Sequence, residues 1–355
     1  MIVNNATSIS LKLWSSLDDA GLQQRWREFM CRCGRHEIHS GPDWLAALCE
    51  GLRHEPYVIE ATEDQRVVGL LPLSLVKSML FGRFLVSLPY VNWAGVIAED
   101  EQVAAAMIDR AVELADELDV RYLELRHETR HEHPALTHEL VTKAHMRLPL
   151  ASSPEPVFKQ LKSVVRTQIR KGEKQQLTVH WGRLDLLDEF YAVFAQNMRD
   201  LGTPVYSRRL FESILTHCPD ETELCVVRLG SRAIAGSLAV HGGDITEVPS
   251  ASSLRRYRST AANSLMYWHA IERAIERGQS VFDFGRSTID GGTYVFKKKW
   301  GAQPEPAVWQ YYVRKGNVAD MRPDGGKYNR MINIWRRLPV SLTRLIGPAV
   351  VRGIP

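Results

Sequence analysis

"IERAIERGQSVFDFGRSTIDGGTYVFKKKWG", residues 271–301, joins a helical pattern to a strand and then to a segment crowded with charge. Apolar residues recur at helical spacing over 271–276, and the β-like run "VFDF" stops at Gly285. A glycine-broken loop then leads to aromatic and lysine side chains that end at Trp300. Open α/β sheets present ligand chemistry at the carboxyl ends of their strands, so this stretch predicts an α/β fold with a site just after the strand.

An earlier part of the chain repeats the pattern. The run "IDRAVE" leads into "VRYLELR", which ends at Arg126, as "IERAIE" leads into "SVFDFGR", which ends at Arg286. Upstream, "VIEATEDQRVVGLLPL" and "VVRLGSRAIAGSLAV" have the form of β-hairpins, with Gly69 and Gly236 in corresponding places. A pair of helical runs precedes each hairpin. Matches in the same order along the chain indicate an internal duplication.

The duplication predicts an α/β (α+β) fold with two tandem domains, each a mixed sheet flanked by helices. We place them at 1–150 and 151–325, followed by a tail at 326–355. No G-x-G-x-x-G follows a first strand and no G-x-x-x-x-G-K-[ST] occurs, which excludes the common nucleotide-binding folds. Only the second copy carries the aromatic and lysine-rich segment, so we expect the active site there and a degenerate, acceptor-binding first copy.

The composition is that of a soluble globular protein, with 45% hydrophobic and 24% charged residues in 355. Five cysteines without a disulfide-like framework favour a reducing compartment. Cys31 and Cys33 form a C-x-C without a second pair, so no metal site is predicted. The amino terminus lacks a signal-peptide pattern, and no run of about 18 apolar residues occurs. We therefore expect a cytoplasmic protein.

The segments "FYAVFAQNMRDLGTPVYSRRLFESIL", "ANSLMYWHAIERA", "FDFGRS" and "YVFKKKWGAQP" resemble FemAB-like proteins of the GNAT acyltransferase superfamily. The similarity is closest to a bacterial group associated with exopolysaccharide and PEP-CTERM systems. "GPDWLAALCEGLRHEPYVIEA" and "GLLPLSLVKSMLFGRFLVSLPYVNWAG" resemble the same group, so the likeness covers nearly the whole chain.

This resemblance implies a transferase that moves an acyl or aminoacyl group onto an amine of a cell-envelope or polysaccharide precursor. Better-known relatives add amino acids to peptidoglycan precursors. The implied donors are acyl-CoA or aminoacyl-tRNA, with no tightly bound cofactor. The loop "SLRRYRSTAANSL" lacks the R-x-x-G-x-G/A pattern that holds pyrophosphate in acetyl-CoA enzymes. The alternative is a non-catalytic binding or scaffold protein of an envelope or exopolysaccharide assembly system.

Four residues of the second copy are the catalytic candidates. The resemblance places Lys297 near the transferred carbonyl, where its ammonium would stabilise an oxyanion. Tyr294 would protonate the leaving group, and Asp283 would accept a proton from the amine. Arg286 would bind a phosphate or carboxylate. The structural alternative stays open: Phe296 and Trp300 pack, the lysines form a solvated helix cap, and Asp283 pairs with Arg286.

Candidates for substrate binding come from both copies. The helix predicted over "PVFKQLKSVVRTQIRKGEKQQ" carries basic residues four apart, which favours a phosphorylated ligand or tRNA, although a solvated face is the ordinary explanation. The residues assigned to substrate binding are Tyr90, Asn92, Trp93, Arg166, Arg170, Asn197, Asn263 and Lys298.

The tail concentrates the positive charge. Residues 325–355 hold six basic side chains and no acid, which leaves 39 basic against 41 acidic residues elsewhere in a chain of net charge +4. Apolar residues three and four apart predict an amphipathic helix broken at Pro339. Two accounts are open: the helix buries its apolar face on the body, or it contacts the inner membrane surface peripherally, near a lipid-linked precursor.

Overall fold

The computed structural model describes residues 8–35, 38–78, 81–316 and 329–354. The strands are β1 (Ser10–Trp14), β2 (Glu55–Glu63), β3 (Arg66–Ser78), β4 (Gly82–Val86), β5 (Ile97–Ala98), β6 (Tyr122–His127), β7 (His138–Leu140), β8 (Lys143–Pro149), β9 (Leu177–Gly182), β10 (Thr222–Leu229), β11 (Arg232–Gly242), β12 (Ile245–Ser253), β13 (Val281–Thr288), β14 (Gln303–Pro306) and β15 (Val308–Val313). The α-helices are α1 (Ala20–Arg32), α2 (Pro42–Leu52), α3 (Glu101–Glu117), α4 (Pro154–Gln160), α5 (Ser163–Glu173), α6 (Leu187–Leu201), α7 (Arg208–His217), α8 (Ala262–Glu276), α9 (Gly292–Lys299), α10 (Asn329–Trp335) and α11 (Val340–Val351).

The chain forms two compact units, each with its own mixed sheet. The first sheet has the strand order β1-β2-β3-β4-β6-β15-β7, with β5 beside β3, and the second has β9-β10-β11-β12-β13-β8-β14. Each contains one parallel pair, β4–β6 or β12–β13, among antiparallel neighbours. Two helices precede each hairpin, and α3 and α8 occupy equivalent places before the parallel strand. The predicted pair of mixed sheets flanked by helices is confirmed.

The predicted domain boundaries need correction. The first unit comprises Met1–Val141, Ala307–Met321 and Gly353–Pro355, and the second comprises Thr142–Pro306 and Arg322–Arg352. Strand β8 pairs with β13 and β14, and β15 pairs with β6 and β7. Each sheet therefore takes one strand from beyond the boundary expected from the repeat. An alternating sequence identifies such a strand, but its partner is set by tertiary pairing.

The two hairpins match with a one-residue difference from the prediction. Each hairpin has a β-bulge at the same distance from its turn. The first paired residue beyond the bulge, counted from the turn, is Gly69 in β3 and Ala235 in β11. The predicted match of Gly69 with Gly236 is therefore wrong by one residue. A shift of one residue turns a side chain to the other face of a sheet. Accordingly, Gly69 lies against Met107 of α3, whereas Gly236 lies against Phe190 of α6.

The predicted match of Arg126 with Arg286 is confirmed. Glu124 and Asp283 end the parallel pairing of β6 with β4 and of β13 with β12. Arg126 follows Glu124 by two register positions, as Arg286 follows Asp283. Strand β13 needs one residue more to cover this distance because it bulges at Gly285, whose φ of 75° favours glycine.

The tail breaks at Pro339, as predicted, and docks on the second unit. Helix α11 packs against α6, and Arg199 Nη1 donates a hydrogen bond to the carbonyl oxygen of Leu338 over 2.8 Å. The packing account holds in part, because the larger apolar side chains stay exposed. Lys327 lies outside the described residues. Within the described ranges, no helix is long and apolar enough to cross a bilayer.

Gly69→Ala should destabilise the protein, because the new Cβ would lie 2.5 Å from Met107 Sδ and 2.8 Å from a Val103 methyl group. Such overpacking costs about 1–3 kcal/mol of unfolding free energy. Urea denaturation of both variants should show no such loss for the control Gly292→Ala, where nothing lies within 4 Å. Equal midpoints for the two would contradict this account of the close approach.

Candidate active site in the second unit

The second sheet opens between its two parallel strands. Strands β12 and β13 pair only over residues 245–247 and 281–283, although both continue for several residues. From there β13 stays paired with β8 on its other side. Glu247 and Asp283 form the last pair before the opening. The opening therefore begins at two carboxylates.

Ionisable side chains gather at this point, inside the protein. Asp283 Oδ1 accepts a hydrogen bond from the backbone N–H of Gly285 over 2.7 Å, and its Oδ2 accepts one from Arg147 Nε over 3.2 Å. Lys297 Nζ donates to the carbonyl oxygen of Gly285 over 2.9 Å and to that of Arg286 over 3.3 Å. His145 Nδ1 lies 3.9 Å from Asp283 Oδ2. The exposed fractions are 1% for Asp283, 3% for Glu247 and 7% for Lys297.

Burial moves the pKa values of two of these groups towards neutral pH. Burial, together with the neighbouring Glu247 carboxylate, raises the pKa of Asp283 to about 7. Burial lowers the pKa of Lys297 to about 8, against the attraction of Asp283 and Glu247. Groups with pKa values near neutrality suit proton transfer, although buried structural networks also produce such shifts.

A cleft of about 660 Å³ lies where α8 begins. Its wall includes the end of β12, one face of α5 and the aromatic side chains of Phe296 and Trp300. Its polar lining is basic or neutral, and none of the described residues that line it is acidic. The side chains that supply this polarity are Gln168, Asn197, Ser253, Arg255, Tyr257, Arg258, Asn263, Ser264 and Lys299. Such a lining suits an anionic ligand.

Comparison with known proteins agrees with this fold. The acetyltransferase (GNAT) domain family matches residues 159–298. The crystal structure of FemX superposes with a TM-score of 0.62 at 15% identity, covering 81% of this chain and 96% of that one. A tandem GNAT protein from the clavulanic acid biosynthesis pathway gives a TM-score of 0.56 at 12% identity, covering 87% of this chain and 100% of that one. Residues 159–298 therefore form a GNAT domain, and the chain shares the fold of FemX and of the tandem GNAT protein.

A further similar structure is a C-terminal domain (DUF2156) from Agrobacterium fabrum assigned to a lysylphosphatidylglycerol synthetase. It has a TM-score of 0.55 at 13% identity and covers 85% of this chain and 93% of that one. No curated protein matches the sequence. At these identities the likeness to solved structures concerns the fold.

The four catalytic candidates do not share one solvent-open cleft. Asp283 and Lys297 belong to the buried cluster, Arg286 is half-buried beside it, and Tyr294 packs into the core of the second unit. Helix α9 turns Tyr294, Lys297 and Trp300 inwards, three residues apart. These side chains do not form an open catalytic surface, because Lys297 lies on the buried face of its helix.

The assigned binding residues of the second unit divide into two groups. Asn197 and Asn263 line the cleft, and Asn197 Nδ2 donates to Ser252 Oγ over 3.1 Å. Lys298 is exposed, with its Nζ 5.5 Å from the Tyr294 ring centroid. Arg166 and Arg170 do not line the cleft and are considered with their helix below.

The basic segment forms two helices instead of the single one predicted. Helices α4 and α5 are separated by Leu161 and Lys162. Arg166 Nη1 donates to the carbonyl oxygens of Lys159 and Leu161, over 2.7 and 2.9 Å, where α4 ends. The Arg170 guanidinium lies 5.6 Å from the Phe158 ring centroid. Both arginines thus contact α4 from α5, and their assignment to ligand binding stays a prediction.

In the first unit, the loop after β4 fills the space beside β6 that lies beyond the end of β4. Arg126 Nη1 donates to the carbonyl oxygens of Leu88 and Val91, over 3.3 and 2.9 Å, and Ala94 bridges to the Arg126 backbone. The loop after β4 therefore occupies the place where the second sheet opens. The corresponding opening in the first unit is therefore closed.

The three assigned residues of this loop have structural contacts. Tyr90 Oη donates to the carbonyl oxygen of Ile354 over 2.6 Å, and the Asn92 carbonyl oxygen accepts from Trp309 Nε1 over 3.3 Å. Trp93 is buried, with its ring 6.1 Å from that of His39. These contacts anchor the loop, and the assignment of its three residues to acceptor binding stays a prediction.

Three members of the cluster were missed by the sequence analysis: Glu247, His145 and Arg147. His145 and Arg147 alternate in "KAHMRLP", a pattern that signals one face of a strand. Their proximity to Asp283 follows only from the pairing of β8 with β13. Within the described ranges, no group of three or more His, Cys, Asp or Glu side chains is placed so that it could hold a metal ion.

Lys297→Met should lower the unfolding free energy by about 1–3 kcal/mol, because two buried carbonyl oxygens lose their donor. Lys298→Met is the matched control, since the neighbouring lysine is exposed. Urea midpoints that fall equally in the two variants would contradict the proposed role of Lys297.

Asp283→Asn should change how stability varies with pH. The folded-state pKa of about 7 exceeds the unfolded value, so the native protein keeps a proton that the unfolded chain releases. Its contribution to stability is full below about pH 4 and is lost as the pH rises to 7. The wild type should therefore lose more stability over this range than the variant.

Urea midpoints measured at several pH values check this expectation. The control is Asp290→Asn, which alters an exposed carboxylate in the loop after β13. A constant difference between wild type and Asp283→Asn at every pH would show that Asp283 does not titrate in this range.

Proposed function

We propose that this protein is an N-acyltransferase that takes an acyl group from acyl-CoA and passes it to an amine of a cell-envelope or polysaccharide precursor. The observation that supports it most is the cleft at the start of α8, which is lined by both basic and aromatic side chains. Its volume lies within the range of small-molecule sites, roughly 300–1,000 Å³.

The phosphates of the donor would lie at the amino terminus of α8. Ala261 precedes this helix with a φ of 60°, an unusual conformation for a residue with a side chain, and its own side chain makes no capping hydrogen bond. Thr260 Oγ1 accepts from the N–H of Ala262 over 3.3 Å. Helix amino termini attract anions through their free N–H groups and the helix dipole. Arg255 and Arg258 line the cleft just before this point. In this proposal the arginines replace the glycine-rich phosphate loop that the sequence lacks.

The alternative donor, an aminoacyl-tRNA, has less support. Outside residues 325–355 the chain carries 39 basic against 41 acidic side chains. Proteins that bind RNA through many phosphates usually show an extensive basic surface. A cleft sized for a small molecule also favours the coenzyme.

The chemistry requires one proton to move. The amine nitrogen attacks the thioester carbon, the C–S bond breaks, and the proton of the amine ends on the leaving sulfur. Glu247 and Asp283, where the sheet opens, are the candidate proton acceptors. In this proposal Lys297 positions the bulge of β13 instead of contacting the carbonyl, and Tyr294 contributes packing.

The acceptor is proposed from the names of similar structures. One is FemX, and another is assigned to a lysylphosphatidylglycerol synthetase, a name that indicates a lipid product. By analogy we propose a lipid-linked or other envelope amine for this chain. The second candidate function, a non-catalytic scaffold, is favoured by the burial of Asp283 and Lys297.

Coenzyme A should raise the melting temperature of the wild type, because a ligand that binds only the folded state stabilises it. The double variant Arg255→Ala/Arg258→Ala should bind at least about tenfold more weakly, since charge-assisted hydrogen bonds to phosphate are lost. Arg256→Ala is the matched control, because Arg256 is an exposed neighbour that does not line the cleft.

Three outcomes separate the candidates. Coenzyme A binding that needs Arg255 and Arg258 supports the proposed donor. Retention of aminoacyl-tRNA without coenzyme A binding would identify the other donor. Binding of neither, together with no transfer from acyl-CoA to a panel of envelope amines, would favour the scaffold.

A further inference from the structure

Helices α10 and α11 expose an unusual number of apolar side chains. Of the eleven large apolar side chains that are exposed in the described part of the chain, five lie in residues 329–354. They are Met331 (64% exposed), Ile334 (58%), Leu342 (39%), Leu345 (77%) and Ile346 (36%). A docked helix normally turns such residues inwards.

The helices are nevertheless held to the second unit by their opposite face. Thr343, Gly347 and Val351, four residues apart, are the buried positions of α11. Gly347 lies so close to Val205 that a Cβ there would be 2.9 Å from its backbone nitrogen. The small residues of α11 therefore make the contact with the second unit, and the larger apolar side chains stay exposed although the helix is docked.

Positive charge surrounds this face. Residues 329–354 contain five arginines and no acidic residue. All five are exposed: Arg330, Arg336, Arg337, Arg344 and Arg352. Arg352 follows Leu342 and Leu345 by ten and seven residues, which places the three on one side of the helix.

A surface that is both apolar and basic fits the boundary of an anionic bilayer. There, apolar side chains enter the acyl region while arginines stay with the lipid phosphates. We favour lipid over a protein partner because the charge is of a single sign, with five arginines and no acid in residues 329–354, and so matches a surface of anionic phosphates. The helices are too short to cross the bilayer, so the contact is peripheral.

We propose that α10 and α11 dock the protein on the surface of an anionic lipid bilayer, with Met331, Ile334, Leu342 and Leu345 inserted and the arginines on lipid phosphates. The inference rests on this surface alone and does not require acyl transfer. It deepens the proposed function by keeping the enzyme where lipid-linked amines are found.

Vesicle co-sedimentation of the full chain tests the proposal. The wild type should bind vesicles of phosphatidylcholine and phosphatidylglycerol in equal parts, bind less as salt rises, and bind phosphatidylcholine alone weakly. Leu342→Ser/Leu345→Ser should lower the partition coefficient at least about tenfold while leaving the urea midpoint unchanged, because both side chains are exposed. Arg330→Gln and Arg337→Gln should each lower it about fivefold on the anionic vesicles.

Matched controls lie elsewhere on the second unit. Leu184→Ser removes an apolar side chain that is 48% exposed, and Lys171→Gln removes an exposed charge. Neither should change binding. Point variants are preferred to truncation, because α11 packs against α6 and its removal would expose part of the core.

Binding of the two-leucine variant at the wild-type level would overturn the proposal, as would equal binding to neutral and anionic vesicles. Sedimentation equilibrium without vesicles supplies a third result. If the wild type self-associates and the two-leucine variant is monomeric, a second copy of the chain covers the face instead of lipid. None of these results bears on coenzyme A binding, so failure here is distinguishable from failure of the proposed donor.

Discussion

A lysine ammonium held by two backbone carbonyls organises the second unit. The bulge at Gly285 interrupts the regular pairing of β13, and Lys297 supplies the donor for the carbonyl oxygens of Gly285 and Arg286. Burying this charge costs free energy, which the nearby carboxylates of Asp283 and Glu247 offset in part. The same contact ties α9 to the strand beside the opening of the sheet. Geometry and charge at the candidate site are thus set together.

The two units show how one architecture leads to an open site or a closed one. Both sheets have the same strand order and a single parallel pair, and both place a carboxylate where that pairing ends. In the first unit, Arg126 binds the carbonyls of the loop after β4 and the loop fills the space. In the second, β12 continues towards a cleft with a basic lining. The loop after β4, which Arg126 holds in place, therefore accounts for the difference between the closed first unit and the open second unit.

The two faces of the tail helix α11 carry different kinds of residue. Small residues permit close approach to the second unit, as at Gly347, while larger apolar residues remain outside with the arginines. A helix that only completed a core would show the reverse arrangement. The apolar and basic composition of the exposed face is therefore better explained by an external surface that this face contacts than by packing on the second unit.

Much of the fold was predictable from sequence because it follows local periodicity. The repeat of helices, hairpin, helix and strand identified two mixed α/β units, and the match of Arg126 with Arg286 is found in the structure. The helix break at Pro339 followed from a local backbone constraint. The resemblance to FemAB-like GNAT proteins pointed to the same architecture.

The site was less predictable, since it depends on contacts between residues far apart in the chain. Sequence indicated Asp283 and Lys297 but gave neither their burial nor the approach of His145 and Arg147, which follows from the pairing of β8 with β13. Alternation shows which side chains share a strand face, whereas the partner strand is chosen by packing over long sequence separations. The residue types and their spacing were thus set locally, and tertiary pairing decided which charges meet and which of them water can reach.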